Sequence, residues 1–280
     1  MDQLYNNSAF NNKLRILFCV VLFEYCLFIY SGVSFSFMHG DPFFSLEADP
    51  AFWLPYLLRI PQFINTYQWT GILLDVSIVM LLVFFIRNPF NNRLAILLLI
   101  LLFLFYITLM GYLAHRNYQS GFFLVFIPFI FKSDINRKYA FESVRYFLLF
   151  FYVSAALLKL SGQSLWNQEQ FSHLLSGQFT PYYLENNTGL RTTTNLYLIN
   201  HPAISYILYI FSFVFELITI IGFFTKRFDK WLATAILAFH FLNWFIMDIA
   251  PFGQVAFICL LFLSDQMKVG QAATITSSGQ

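Results

Sequence analysis

LAILLLILLFLFYITLMGYL, residues 94–113, runs for twenty residues without a charge. A helix rises about 1.5 Å per residue, so this stretch alone reaches across a hydrocarbon core roughly 30 Å thick. The rest of the chain agrees with it. Apolar residues make up 59% of the 280 and charged residues 11%, whereas a soluble domain carries about a quarter of its residues as charges. Thirty-eight phenylalanines suit a surface facing lipid tails. The net charge of +2, with no dense basic run, excludes a nucleic-acid partner. Cys19, Cys26 and Cys259 form no CxxC pair and no disulfide framework, and read as small apolar fillers.

Outward from 94–113, comparable runs cover 14–37 with Glu24 inside, 69–86 with Asp75, 146–160 ending near Lys159, 204–224 with Glu216, and 231–247 with His240. Two shorter runs, 121–131 and 251–263, bring the expected number to about eight. Basic residues test that count. With the N-terminus inside and strict alternation, twelve of the sixteen Lys and Arg fall in cytoplasmic segments and three in outer ones, as the positive-inside rule requires. Lys159, within a helix, is the sixteenth. The expected fold is therefore an all-α polytopic transmembrane helix bundle, N-in and C-in. Residues 1–13 are a cytoplasmic N-terminus, 14–263 the transmembrane domain, and 264–280 a cytoplasmic tail expected to be disordered. The first run is longer than a signal-peptide core and lacks a small-residue cleavage site, so it is expected to stay attached.

Two long outer segments remain. Residues 38–68 carry Pro42, Pro50, Pro55 and Pro61 and read as a broken, interface-lying stretch. Residues 161–202 begin with SLWNQEQFSHLLSGQ, where Leu165, Phe171, Leu174 and Leu175 form the apolar side of a short interfacial helix.

Ionisable side chains at membrane depth cost several kcal/mol unless paired or hydrated, which makes each a candidate functional residue. The alternation brings Asp75, His115, Lys159 and His240 to one outer level and puts Glu24 and Glu216 deeper. Lys159 has Ala155 and Ala156 beneath it on its own face, leaving room for a neighbouring helix or a ligand. Ser205, Tyr209, Ser212, Glu216 and Thr219 form one polar stripe, and His240 shares a helix face with Asn243, Trp244 and Met247. Each has a plainer reading. Lys159 can snorkel to the interface, and Asp75 can simply pair with it. Glu216 can be packing glue, His115 an interface residue, and His240 a buried neutral imidazole. No HxH, HxxxH or cysteine-rich spacing points to a metal.

FYVSAALLKLSGQSLWNQEQFSHLL (151–175) and FELITIIGFFTKRFDKWLATAILAFHFLNWFIMDIAPFGQVAFICLLF (215–262) resemble the horizontally transferred transmembrane (HTTM) domain family, related to the membrane domain of vitamin K-dependent gamma-glutamyl carboxylase. The first has the family's small-residue pair, Lys-Leu and Trp. The second has its acidic residue, basic turn, His and Asn. The resemblance implies that Lys159 is a general base toward a reduced, vitamin K-type quinone, with His240 and Glu216 on the family's later-helix positions. His115 stands where the family has a loop histidine, although here it precedes Arg116 and Asn117. Asp75, Glu216, Asn243 and Trp244 are the candidate cofactor-side neighbours. The carboxylase's large lumenal region has no counterpart after Leu263, so the chain is more similar to the sporulation-delaying protein B (SdpB-like) branch, which matures secreted peptide toxins. The abundance of Phe, Ile and Asn suits a bacterial inner membrane.

Two functions from different classes follow. One is an enzyme-like factor acting on a secreted peptide or a membrane quinone at an outward-facing site. The other is a non-catalytic membrane chaperone or assembly partner for a secreted peptide. A small transporter is a third class, but no discontinuous-helix repeat pair supports it.

Overall fold

The computed structural model describes residues 8–38, 53, 56–109, 121–162, 164–184, 189–249 and 251–267. Among these there is no strand. The helices are α1 (Ser8–Tyr30), α2 (Ile60–Thr66), α3 (Gln68–Arg87), α4 (Asn92–Leu109), α5 (Asp134–Ser161), α6 (Gln170–Leu184), α7 (Leu190–Asn200), α8 (Pro202–Ile218), α9 (Ile221–Phe224), α10 (Asp229–Met247) and α11 (Val255–Cys259). Six helical stretches are long and apolar enough to cross a membrane: Ser8–Phe37, Trp69–Arg87, Asn92–Leu109, Asp134–Ser161, Pro202–Phe224 and Asp229–Met247. The chain is an integral membrane helix bundle. Helices satisfy every backbone group internally, the one solution for an open chain in lipid.

The two short runs also form helices, but not ordinary spans. Residues 122–130 wind as a 3-10 helix, Phe122–Ile130, and the last run is α11 followed by a 3-10 turn, Leu260–Leu263. A 3-10 helix rises about 2 Å per residue, so nine residues reach roughly 18 Å. That is enough to run beside α4 through the core. Phe122 packs against Phe28 and Phe105, whereas Phe129 packs against Phe18, Phe85 and Phe90 near the α3–α4 turn. The tighter coil carries the chain back antiparallel to α4.

Phenylalanine serves two purposes here. Phe18 is fully buried, 4.7 Å from the Phe85 ring and 5.5 Å from Phe126, and such ring pairs add about 0.5–1.5 kcal/mol beyond area burial. Ile16 and Phe23 of the same helix are 65% and 63% exposed, and belong to the lipid-facing side. α1 ends at Tyr30; Gly32, whose φ of +69° favours glycine, turns the chain, which folds back through the 3-10 turn Phe35–Phe37. α3 packs directly on that turn because residue 71 is glycine. A Cβ there would lie 2.5 Å from the Phe35 carbonyl oxygen.

Contacts gather the basic connections at one end of the bundle. Phe10 of α1 packs on Phe90, which also lies beneath the Arg137 guanidinium. Arg137 donates to the Phe131 and Lys132 carbonyls, Lys226 pairs with Glu142, and Lys230 lies 2.8 Å from Asp265.

The segment 161–202 departs from the single interfacial helix expected. It forms a 3-10 turn (Ser164–Trp166) and two helices, α6 and α7. Phe171 and Leu175 are buried as expected, but Leu174 is 40% exposed and Leu165 belongs to the preceding turn. Phe171, Leu175 and Phe179 meet Leu198 of α7 in a second apolar cluster, against Leu208, Tyr209, Ile246 and Met247. The apolar side packs on protein because α7 supplies a second cover that apolar periodicity did not reveal. Of 38–68, α2 is described, preceded by Arg59 at a φ of 57°, while 39–52 lie outside the described residues. The tail beyond Met267 does too.

Candidate functional site

Arg145, Tyr152 and Lys159 recur every seven residues along α5, a spacing that drifts only about 20° per repeat and steps about 10 Å along the axis. All three side chains therefore leave α5 on one face, and each meets a polar partner from the last third of the chain.

The lowest layer is an ion pair. Arg145 is fully buried, its Nε 2.7 Å from Asp229 Oδ2 and its Nη2 2.8 Å from Asp229 Oδ1, the bidentate geometry that suits guanidinium to carboxylate. Nη2 also donates to the Gly222 carbonyl at 2.5 Å. The turn carrying that carbonyl approaches closely because residue 222 has no side chain: a Cβ would lie 2.7 Å from Leu149 Cδ2.

In the middle layer Tyr152 Oη lies 2.6 Å from His240 Nε2 and 3.4 Å from Gln254 Oε1. A phenol has one hydrogen. Both contacts are satisfied together when His240 carries its proton on Nε2 and Tyr152 passes its own to Gln254. Tyr152 and His240 are both buried.

Lys159 forms the upper layer. Its Nζ donates to Ser212 Oγ at 2.7 Å and to Glu216 Oε1 at 2.8 Å, and stands 5.4 Å from the centre of the Tyr209 ring. Tyr209 donates to Ser164 Oγ, which donates to the Lys159 carbonyl, so the ring is held beside the ammonium. Ser212 and Glu216 lie toward the α9 end of α8, on the way to the Arg145 layer. The ammonium is thus drawn back along α5 into the bundle, the reverse of snorkelling. Side chains on a helix lean toward its N-terminus, which makes this the accessible direction. The Glu216 side chain is 8% exposed, and its Oε2 is buried without a hydrogen-bond partner. Lys159, at 21%, is reached from outside the bundle.

The remaining sequence candidates lie elsewhere. Asp75 does not meet Lys159. Its Oδ1 accepts from Tyr25 Oη at 2.7 Å and from the Phe35 amide, and its Oδ2 from Ser34 Oγ at 2.7 Å and the Ser36 amide. Four donors hold the carboxylate, and with it the fold-back after α1. Glu24 plays a similar part, accepting from the amides of Gly253, Val255 and Ala256 at the start of α11. Asn243 is half-buried. Trp244 is turned from His240 to the Arg191 guanidinium, 5.7 Å away, and Arg191 pairs with Asp248. His115 lies outside the described residues. The shared outer level expected for Asp75, Lys159 and His240 thus resolves into separate groups. Lys159 and His240 occupy adjacent layers on α5, while Asp75 belongs to α1 and α3. Alternation gives no rotation about the helix axis, and it is rotation that decides which of these groups meet. Tyr152, Gln254 and the Arg145–Asp229 pair were not among the sequence candidates; the seven-residue spacing Arg145–Tyr152–Lys159 offered a signal for the α5 members alone.

Among the described residues, no three His, Cys, Asp or Glu side chains cluster as metal ligands would. No protein-family model matches the chain, and no curated protein or solved structure matches it either.

Proposed function

We propose that this membrane protein is of the horizontally transferred transmembrane type and modifies a secreted peptide, or acts on a membrane quinone, at the Lys159–Glu216 pair. One observation carries the reading: a lysine drawn into the bundle beside a carboxylate that keeps one buried oxygen without a partner. A pair of this kind moves a proton without changing its net charge. Transfer from Nζ to Glu216 over 2.8 Å leaves a neutral amine with a lone pair, the form a general base needs. Ser212 holds the nitrogen in place during the exchange, and the exposed side of Lys159 meets the substrate.

The residues present suit a reduced quinone. Its hydroxyl offers the donor that Glu216 Oε2 lacks, and its ring finds the Tyr209 face beside Lys159. Such a group, when bound, supplies reducing electrons for dioxygen chemistry. Lys159 and Glu216 accept and hold its proton, Tyr209 orients it, and the buried second layer keeps water from below. The test is dioxygen uptake by the purified protein with vitamin K hydroquinone, read against Lys159→Arg. Uptake above background in the wild type alone supports the reading, and equal uptake in both rejects it.

The non-catalytic reading, a membrane chaperone or assembly partner for a secreted peptide, draws on the same contacts taken as a fixed link. Two of the three ammonium hydrogens of Lys159 are already engaged by Ser212 and Glu216, as in an interhelical clamp between α5 and α8. A clamp tolerates exchange of the two charges between the helices, whereas a base at a defined position does not.

A further inference from the structure

A groove of about 420 Å³ opens on the lipid-facing side, at the end of the bundle where the basic connections gather. α1 contributes Lys13, Ile16 and Val20, a stripe at three- and four-residue spacing along one face. Cys259 and Phe262 form the facing wall, and Lys230, in the first turn of α10, stands beside the opening. The groove is therefore apolar along its length and cationic at one end.

Lys13 is exposed and has no ion-pair partner among the described residues. Lys230 lies 2.8 Å from Asp265 with both side chains about half exposed, and Lys13 lines the same opening. An ammonium has three hydrogens, and Asp265 leaves Lys230 others to donate. A negative charge at the opening would meet both ammonium groups. The volume limits what can follow that charge into the groove. A protein helix about 10–12 Å across would fill it with roughly one turn, whereas a single hydrocarbon chain fits along it.

We propose that this groove binds an anionic phospholipid, its phosphate between Lys13 and Lys230 and one acyl chain along Ile16, Val20, Cys259 and Phe262. The phosphodiester of an anionic lipid carries a negative charge with no ammonium of its own to offset it, and the long lysine stems follow the chain out of the hydrocarbon to reach it. The site stands apart from the α5 ladder and holds whether or not Lys159 is a base.

The test is native mass spectrometry of the full chain in mild detergent, exchanged against equal amounts of dioleoyl phosphatidylglycerol and dioleoyl phosphatidylcholine. The wild type retains one phosphatidylglycerol with a preference on the order of tenfold, as two lysines near a phosphate provide. Lys13→Gln with Lys230→Gln brings the two lipids to parity, and arginine at both positions keeps the preference. Cys259→Trp fills the groove and removes retention at an unchanged unfolding temperature; Val20→Trp takes its place where the first variant unfolds. Parity in the wild type overturns the proposal, as does an undiminished preference in the double glutamine variant. Competition by chain-free glycerol phosphate as strong as by the lipid overturns it too, since the groove would then contribute nothing.

Discussion

Tyr152 Oη and His240 Nε2 lie 2.6 Å apart, with the Arg145–Asp229 pair one α5 layer on one side and Lys159–Glu216 one layer on the other. This contact joins α5 to α10 where neither helix has a charge to offer, and it leaves a buried imidazole dependent on one phenol. Removing the phenol alone strands a polar atom. Tyr152→Phe is expected to lower stability by about 1–3 kcal/mol. Adding His240→Leu to it should recover most of that loss, because a pair replaced on both sides leaves only the longer 3.4 Å contact to Gln254 unmet. Thermal unfolding of the two single variants and the double in detergent measures the coupling. Strictly additive losses would show that the 2.6 Å contact has no energetic content.

Lys159 separates base from clamp. Lys159→Arg keeps a cation of similar reach but no accessible lone pair, since a guanidinium stays protonated. The expected outcome is a well-expressed, folded protein without hydroquinone-dependent dioxygen uptake. The exchange Lys159→Glu with Glu216→Lys restores the ion pair in reverse, and is expected to recover folding but not activity. Full activity in either variant assigns the pair to structure.

Among the described residues Arg145 is the largest fully buried side chain, and Asp229 is its carboxylate partner at 0% exposure. Asp229→Asn leaves a buried guanidinium short of its counter-charge, and is expected to cost about 3–5 kcal/mol. In cells this reads as a strong drop in the amount of folded protein, measured by fluorescence-detected size exclusion. Gly222→Ala should also destabilise, because the new Cβ meets Leu149, and Leu149→Ala should relieve it in part. A neutral Gly222→Ala would mean that α5 and the α9 turn separate readily.

Topology is checked by accessibility. In a background without Cys19, Cys26 and Cys259, single cysteines at Lys138 and Asn186 are expected to label from opposite sides of intact cells. Labelling of both by one impermeant reagent would reject the alternation built on the basic residues.

Much of the architecture was written into the chain itself. Runs such as 94–113 have no alternative to helix in lipid, because water is absent and the backbone must satisfy itself. The buried charges were equally visible, since a Lys, Asp or Glu among phenylalanines stands out by composition alone. Their partners were not visible. Partnership depends on which way each helix is turned, and the sequence carries that only weakly when every face is apolar. Asp75 shares an outer level with Lys159 in the alternation, yet the fold-back Ser34–Phe37 presents two amides and a hydroxyl to it first, with the Tyr25 phenol completing the set. Glu216 was legible as one point of a polar stripe. Only the packing of α5 on α8 made it the partner of Lys159 and left its second oxygen without one. Hydrophobicity along the chain determines what enters the membrane. Short-range hydrogen-bond geometry between helices, set by close approach at residues such as Gly71 and Gly222, decides which of the buried polar groups meet.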